Sequence, residues 1–295
     1  MIAYFGTGLL GTGFVRALRK RGEDVHVWNR TASKAKALEA DGAKAFDDPA
    51  DAARGAARVH LTLSDDAAVD ETLERARPGF AKDVVLVDHT TTSPTGTAAR
   101  AARWDERGVA FQHAPVFMGP QNALESTGIM LASGDEARFE SLRPHLAKMT
   151  GKLVYLGPQP SRAACFKLFG NAFLMCMTAG IVDVLALGKA LGLEAKDAAT
   201  IFDAFNPAAT IGARVGRILE GDFAHPSWEL SMARKDARLM LEEAKRGDVS
   251  LTLIPALAAV MDRWIARGHA QDDWTVIATD VVKATSNAKA NANAK

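Results

Sequence analysis

The run Ile2-Ala3-Tyr4-Phe5-Gly6-Thr7-Gly8-Leu9-Leu10-Gly11 decides the fold. Four apolar residues suited to a strand lead directly into Gly-x-Gly-x-x-Gly, after which Phe14, Val15 and Leu18 recur at helical spacing. Strand, glycine turn and amphipathic helix in this order make the anion-binding corner of a βαβ unit. Gly6 permits the tight turn, Gly8 lets a pyrophosphate approach the backbone, and Gly11 allows helix and strand to pack closely. The helix start adds unpaired N–H groups that favour an anion. The spacing therefore assigns Gly6, Thr7, Gly8, Leu9, Leu10 and Gly11 to a bound dinucleotide. Position makes the motif specific, because a bare glycine triplet arises by chance.

Further β-rich runs follow at Asp24 to Trp28, Arg58 to Leu63, Val84 to Asp88, Val109 to Gln112, Ile129 to Ala132 and Leu153 to Leu156, separated by helical patterns. Such alternation predicts an α/β Rossmann domain, a doubly wound parallel sheet, over residues 1–160. The second run ends Val27-Trp28-Asn29-Arg30-Thr31, with Lys34 following. A carboxylate at this point would bond ribose hydroxyls and repel a 2′-phosphate. Arg30 can instead clamp that phosphate, with Thr31 adding a hydroxyl and Lys34 a point charge. The expected cofactor is thus NADP (NADPH). The plainer alternative is that Arg30 and Lys34 solvate a helix start.

Pro158 and Pro160 punctuate the end of this domain, since proline fits neither element interior. From Ser161 to Leu191 no proline occurs and strand signals stop. This segment reads as one long helix joining the domains, apolar nearly all round at Phe166 to Val184 and so buried in a core or an interface. A C-terminal all-helical substrate and dimerisation domain is expected over 161–285, followed by a flexible Ala/Asn/Lys tail over 286–295.

Lys and Arg number 36 against 35 Asp and Glu, so no global field holds nucleic acid or an anionic membrane. Cys165 and Cys176 fall on the long helix roughly 16 Å apart at about 1.5 Å per residue, too far for a disulfide. The N-terminus lacks a signal-peptide pattern, and no apolar stretch reads as long enough to span a membrane. Histidines 60, 89, 145, 225 and 269 lack metal-site spacing. These features predict a cytoplasmic protein with a small-molecule substrate and no metal, nucleic-acid or membrane partner.

Taken together, Gly6 to Gly11, Asn29-Arg30-Thr31 with Lys34, Thr62-Leu63-Ser64-Asp65-Asp66, Asp88-His89-Thr90-Thr91-Thr92-Ser93-Pro94, Lys167 to Asn171 and Lys235-Asp236 resemble the β-hydroxyacid dehydrogenases over nearly the whole chain. That family includes 3-hydroxyisobutyrate dehydrogenase and glyoxylate and succinic semialdehyde reductases, and imine reductases are its cousins. The resemblance implies that Lys167 is the catalytic acid and that Asn171 holds substrate. It further implies that Asn29, Leu63, Ser64, Thr91 and Lys235 contact cofactor, and that the helical domains pack as a homodimer or homotetramer. Lys167 and Asn171 are i and i+4, so one helix face carries both. A lysine held in a partly apolar cleft can protonate the alkoxide formed when hydride reaches a carbonyl. The competing roles are a lysine that snorkels to solvent, an Asn171 that bonds a neighbouring helix, and an Asp236 that pairs with a nearby lysine.

The substrate loop departs from the family pattern. Where Asp-x-Pro-x-Ser-Gly-Gly usually supplies serine and glycine donors to a carboxylate, this chain reads His113-Ala114-Pro115-Val116-Phe117-Met118-Gly119. Phe117 and Met118 remove a hydroxyl and add apolar bulk, leaving Gly119 and, beyond it, Gln121, Asn122 or Ser126 as donors. His113 either bonds a carbonyl or ends a strand. Two glycines that usually precede the lysine are Ser161 and Ala163. Three functions follow: an NADPH-dependent aldehyde or keto-acid reductase using Lys167; an imine reductase, favoured by the apolar loop; and a non-catalytic NADP-binding protein. The lysine argues against the second and the third. Specificity is further expected from the helical domain near Phe205.

Overall fold

The computed structural model describes residues 1–282; the expected tail at 286–295 lies outside the described residues. The chain forms two compact units, Met1–Ala172 and the part from Phe173 onward.

In the first unit, β1 (Ile2–Phe5), β2 (Val25–Trp28), β3 (Lys44–Phe46), β4 (Arg58–Leu61), β5 (Val85–Asp88) and β6 (Ala110–His113) form one parallel sheet in the order β3-β2-β1-β4-β5-β6. That reversal of order beside β1 is the doubly wound arrangement, which opens a crevice outside the strands' carboxyl ends. The alternation along β1 explains its apolar composition: Ile2 and Tyr4 enter one core cluster, Ala3 and Phe5 the other. A sheet covered on both faces needs apolar residues on both.

The strands differ from the sequence expectation in two places. Lys44–Phe46 is an additional edge strand, hidden in sequence by its length of three residues. The last two expected strands do not extend the main sheet. β7 (Val116–Phe117), β8 (Ile129–Ala132) and β9 (Lys152–Tyr155) form a separate three-stranded sheet, with β7 antiparallel to β8 and β8 parallel to β9. Strand propensity marks a strand but does not choose its partner.

Helix Arg162–Ala190 spans 29 residues and crosses from the first unit into the second. The reading that no segment reaches membrane-span length is corrected here. This helix is long and apolar enough by length and composition, with a mean hydropathy of 1.7 over its best window. Only 6% of that window is buried within the chain, so the helix is not a core helix of this chain. One residue on it has a defined structural role. Asp183, 5% exposed, accepts hydrogen bonds from the backbone N–H groups of Thr252, Leu253 and Ile254, the last two at 2.8 and 3.2 Å. It thereby caps helix Ile254–Ala266, whose own N-cap residue makes no side-chain bond. That helix packs on Leu230–Arg246 through Leu230, Ala233, Ala237, Ala258, Met261 and Trp264.

Candidate active site

The carboxyl ends of β1, β2 and β4 meet at a cleft of about 340 Å³. Glycine geometry shapes its floor. Gly6 has φ +90°, and a Cβ there would stand 2.0 Å from the Thr62 carbonyl oxygen. A Cβ on Gly11 would lie 1.9 Å from the Gly6 oxygen, so helix and strand can approach only without it. Gly8 differs, since a Cβ there would meet nothing within 4 Å. Its backbone is open to the cleft, as an approaching pyrophosphate requires. Helix Leu9–Lys20 begins here with no side-chain cap, and the Thr7 hydroxyl is buried without a partner. Unpaired N–H groups and an unpaired hydroxyl fit an anion at this corner.

Gly6, Gly8, Leu9, Leu10, Gly11, Asn29, Arg30, Thr31, Lys34, Leu63 and Ser64 all line the cleft. Thr7 lines the adjoining groove, and its N–H donates to Asn29 Oδ1 at 3.0 Å, which locks the glycine turn to the end of β2. Among the described residues Arg30 and Lys34 enter no ion pair within 4.0 Å. Thr91 is exposed on the loop after β5 and is not a lining residue. Its neighbour Thr90 ties that loop to the cleft by accepting the Leu63 N–H at 3.0 Å. Lys235 lies in the second unit, paired with Asp236 at 3.0 Å.

The sequence reading missed Trp28, Thr62, Ala68, Glu71, Thr72 and Arg75 in the cleft. Four of these recur at helical spacing along Asp66–Ala76, so the face was visible. Its direction was not. Arg75 also places its guanidinium over the Trp28 ring, 5.4 Å from the centroid.

At the other candidate position, still within the first unit, Lys167 is 9% exposed. Nζ donates to Asn171 Oδ1 at 3.0 Å, one helical turn on, and lies 4.1 Å from the centroid of the Phe117 ring. Lys167 therefore does not snorkel to solvent. Burial holds its pKa below the ordinary lysine value. The loop places its other residues elsewhere. Met118 packs against the core cluster that holds Phe14 and Val116. The Gly119 N–H donates to Asn122 Oδ1 at 2.9 Å, and Asn122 Nδ2 to Thr127 Oγ1 at 2.9 Å. Gln121 bonds Glu125, and Ser126 Oγ accepts from Arg21 at 2.9 Å.

His113 is buried at the end of β6, its Nε2 3.0 Å from the Thr90 carbonyl and 3.3 Å from Thr92 Oγ1. It braces the threonine loop from behind. Arg100, fully buried, joins Asp66 and Asp70 to that scaffold at 2.9 and 2.7 Å. The reading that offered His113 as a carbonyl-binding or strand-ending residue did not foresee this network, because its members are scattered along the chain.

A doubly wound sheet with an anion-ready glycine turn at its switch point defines a dinucleotide-binding protein of the Rossmann class. Comparison with known proteins narrows this. Residues 1–157 match the NAD binding domain of 6-phosphogluconate dehydrogenase, and residues 159–283 match the C-terminal domain described as NADPH-dependent reductive aminase-like. Similar proteins include 2-(hydroxymethyl)glutarate dehydrogenase of Eubacterium barkeri, 26% identical over 94% of this chain and 93% of its own length. The 3-sulfolactaldehyde reductase of Escherichia coli K12 is 26% identical over 95% of both chains. Among solved structures, an imine reductase from Myxococcus stipitatus in complex with NADP+ superposes with a TM-score of 0.88 at 18% identity, covering 94% of this chain and 98% of that one. A reductive aminase from Aspergillus terreus in complex with NADPH and ethyl levulinate gives 0.85 at 23% identity, covering 94% and 97%. The protein belongs to the family defined by the NAD-binding domain of 6-phosphogluconate dehydrogenase and is an NAD(P)-dependent oxidoreductase of the β-hydroxyacid dehydrogenase type.

Proposed function

We propose that this protein is an NADP(H)-dependent reductase of small aldehydes or keto acids, with Lys167 as proton donor. The observation that carries the reading is the buried lysine bonded to Asn171 in a chain whose glycine turn is built for a dinucleotide. Bound at that turn, the cofactor supplies the hydride. Gly6 to Gly11 hold its pyrophosphate, Leu63 and Ser64 flank the cofactor from the cleft wall, and Thr91 lies near the nicotinamide, as the family resemblance implies. Arg30, Thr31 and Lys34 favour the 2′-phosphate, because two unpaired cations and a hydroxyl line the cleft beyond β2 without a carboxylate at the strand end. Lys167 donates a proton from Nζ to the developing alkoxide, and Asn171 holds that ammonium in place.

The test is NADPH oxidation with semialdehydes, glyoxylate, neutral aldehydes and cyclic imines, in wild type and Lys167→Ala. Loss of a general acid of this kind lowers turnover by roughly 10²- to 10⁴-fold. Undiminished turnover in the variant would remove the lysine from the reaction. Replacing Arg30 by Ala is expected to raise KM for NADPH while leaving that for NADH nearly unchanged, and equal effects on both would sink the 2′-phosphate role.

A second reading, imine reduction, is favoured by the apolar Phe117 over the lysine and by the reductive aminase-like match over residues 159–283. Here the proton would go to nitrogen, and turnover of cyclic imines with inert aldehydes would select it.

We also propose a cytoplasmic homodimer or homotetramer with no nucleic-acid or membrane partner. The near-zero net charge supports the absence of a nucleic-acid partner, and Phe169, Phe173, Leu174, Met175 and Met177, all exposed on helix Arg162–Ala190, support the oligomer.

A further inference from the structure

We propose that Phe117 sets the charge class of the substrate by capping the Lys167 ammonium, so that this site takes uncharged aldehydes, ketones or imines and disfavours carboxylated ones. The inference rests on the reading of Lys167 as proton donor and narrows its substrates to the uncharged carbonyls and imines, setting aside the keto acids.

Three independent features of the first unit support it. The Phe117 ring lies 4.1 Å from Nζ, and the electron-rich face of an aromatic ring attracts a cation. An ammonium has three donors. Asn171 Oδ1 occupies one and the ring face another, which leaves one for a substrate oxygen or nitrogen. A neutral carbonyl or imine needs only that one, whereas a carboxylate must compete with the ring for the same charge.

The helix is also shaped for the ring. A Cβ at Gly170 would stand 2.3, 2.6 and 3.2 Å from Phe117 Cζ, Cε1 and Cε2, so glycine provides the notch in which the ring tip rests. The capped arrangement is thus built from both sides of the contact, by β7 and by the helix.

The loop, finally, keeps its polar groups for itself. The N–H of Gly119 and the amides of Gln121 and Asn122 donate within the loop, and the Ser126 hydroxyl accepts from Arg21. A carboxylate brought here without matched donors would be desolvated at a cost.

The experiment compares butanal with succinic semialdehyde, which share a four-carbon aldehyde chain and differ in the carboxylate, by NADPH consumption. Wild type is expected to favour butanal in kcat/KM. Phe117→Ser uncovers the ammonium and adds a hydroxyl, and should move the ratio toward the semialdehyde by on the order of tenfold, chiefly through KM for the charged substrate. Gly170→Ala leaves Phe117 in the chain but drives its ring off the lysine, and should move the ratio the same way. Phe117→Leu, apolar but without a π face, should give a smaller shift. A wild-type preference for the semialdehyde, or a ratio unmoved in both Phe117→Ser and Gly170→Ala, would overturn the proposal. Failure of the underlying reading looks different: neither aldehyde consumes NADPH, or Lys167→Ala turns over butanal as fast as wild type, and then this inference falls with it.

Discussion

Lys167 shows how one residue's surroundings become a measurable property. Burial disfavours its charged form, so the pKa is displaced downward from the ordinary 10.5. In the reductive direction the lysine must carry its proton. Reduction is therefore expected to hold up at neutral pH and to decline as pH rises through a value below 10.5. In the oxidative direction the neutral amine accepts the proton, and the rate should instead rise over the same interval. Solvent-isotope and pH profiles of kcat/KM in both directions check this. A reductive limb at or above the ordinary lysine value would mean that Nζ is solvated. The pairing with Asn171 follows from i, i+4 spacing alone, but the ring over Nζ comes from residue 117, far earlier in the chain, and no spacing rule predicts it.

At the level of elements, Asp183 is the feature that sequence reading passed over. It sits in an apolar helix, where a carboxylate looks like an interruption. The structure shows it capping a different helix, accepting from three consecutive N–H groups that would otherwise be unpaired. Asp183→Ala should destabilise the protein by about 2 kcal/mol, in the range for lost caps and charged hydrogen bonds. Chemical denaturation measures it, and a change near zero would mean that water replaces the carboxylate. The glycine turn, by contrast, was legible in full, because its requirements are local: a positive φ at Gly6, contact at Gly11 and open space at Gly8. The short strand β7 was not, since two residues carry too little pattern to distinguish strand from loop.

For the molecule as a whole, burial and exposure govern two further properties. His89 Nδ1 lies 2.7 Å from the Ala114 carbonyl, an acceptor only, so that nitrogen carries hydrogen; His60 Nδ1 then donates to His89 Nε2 at 3.0 Å. Both rings are neutral in this chain of donation. Burial pushes His89 down to about 4, and burial with the neighbouring ring holds His60 well below its ordinary value. Because their folded pKa values are depressed, the stability they confer is present above about pH 6.5 and is lost as pH falls toward those values, at up to about 1.4 kcal/mol per pH unit per histidine. Buried Asp88, raised by desolvation, works in the opposite direction at pH above the ordinary 3.8 and partly offsets the histidines where the two ranges overlap. Urea midpoints should therefore drop between about pH 7 and about pH 5; a flat profile would show that the pair is not neutral when folded. The second property is association. With Phe173 and Met177 exposed one turn apart, light scattering should give a multiple of 31.4 kDa, and Met177→Glu should lower it. A monomeric wild type would contradict the homo-oligomer.

The amino-acid order by itself determined the Rossmann unit, its glycine turn, the long helix and the Lys167–Asn171 pair. Each is set by interactions within a few residues, so periodicity and backbone sterics suffice to read them. Only the tertiary structure decided the separate second sheet, the face of Asp66–Ala76 that lines the cleft, the bracing of the threonine loop by His113, and the seat of Phe117 on Gly170 over Lys167. Those depend on which distant segments the packed core brings together, and local pattern carries no record of that choice.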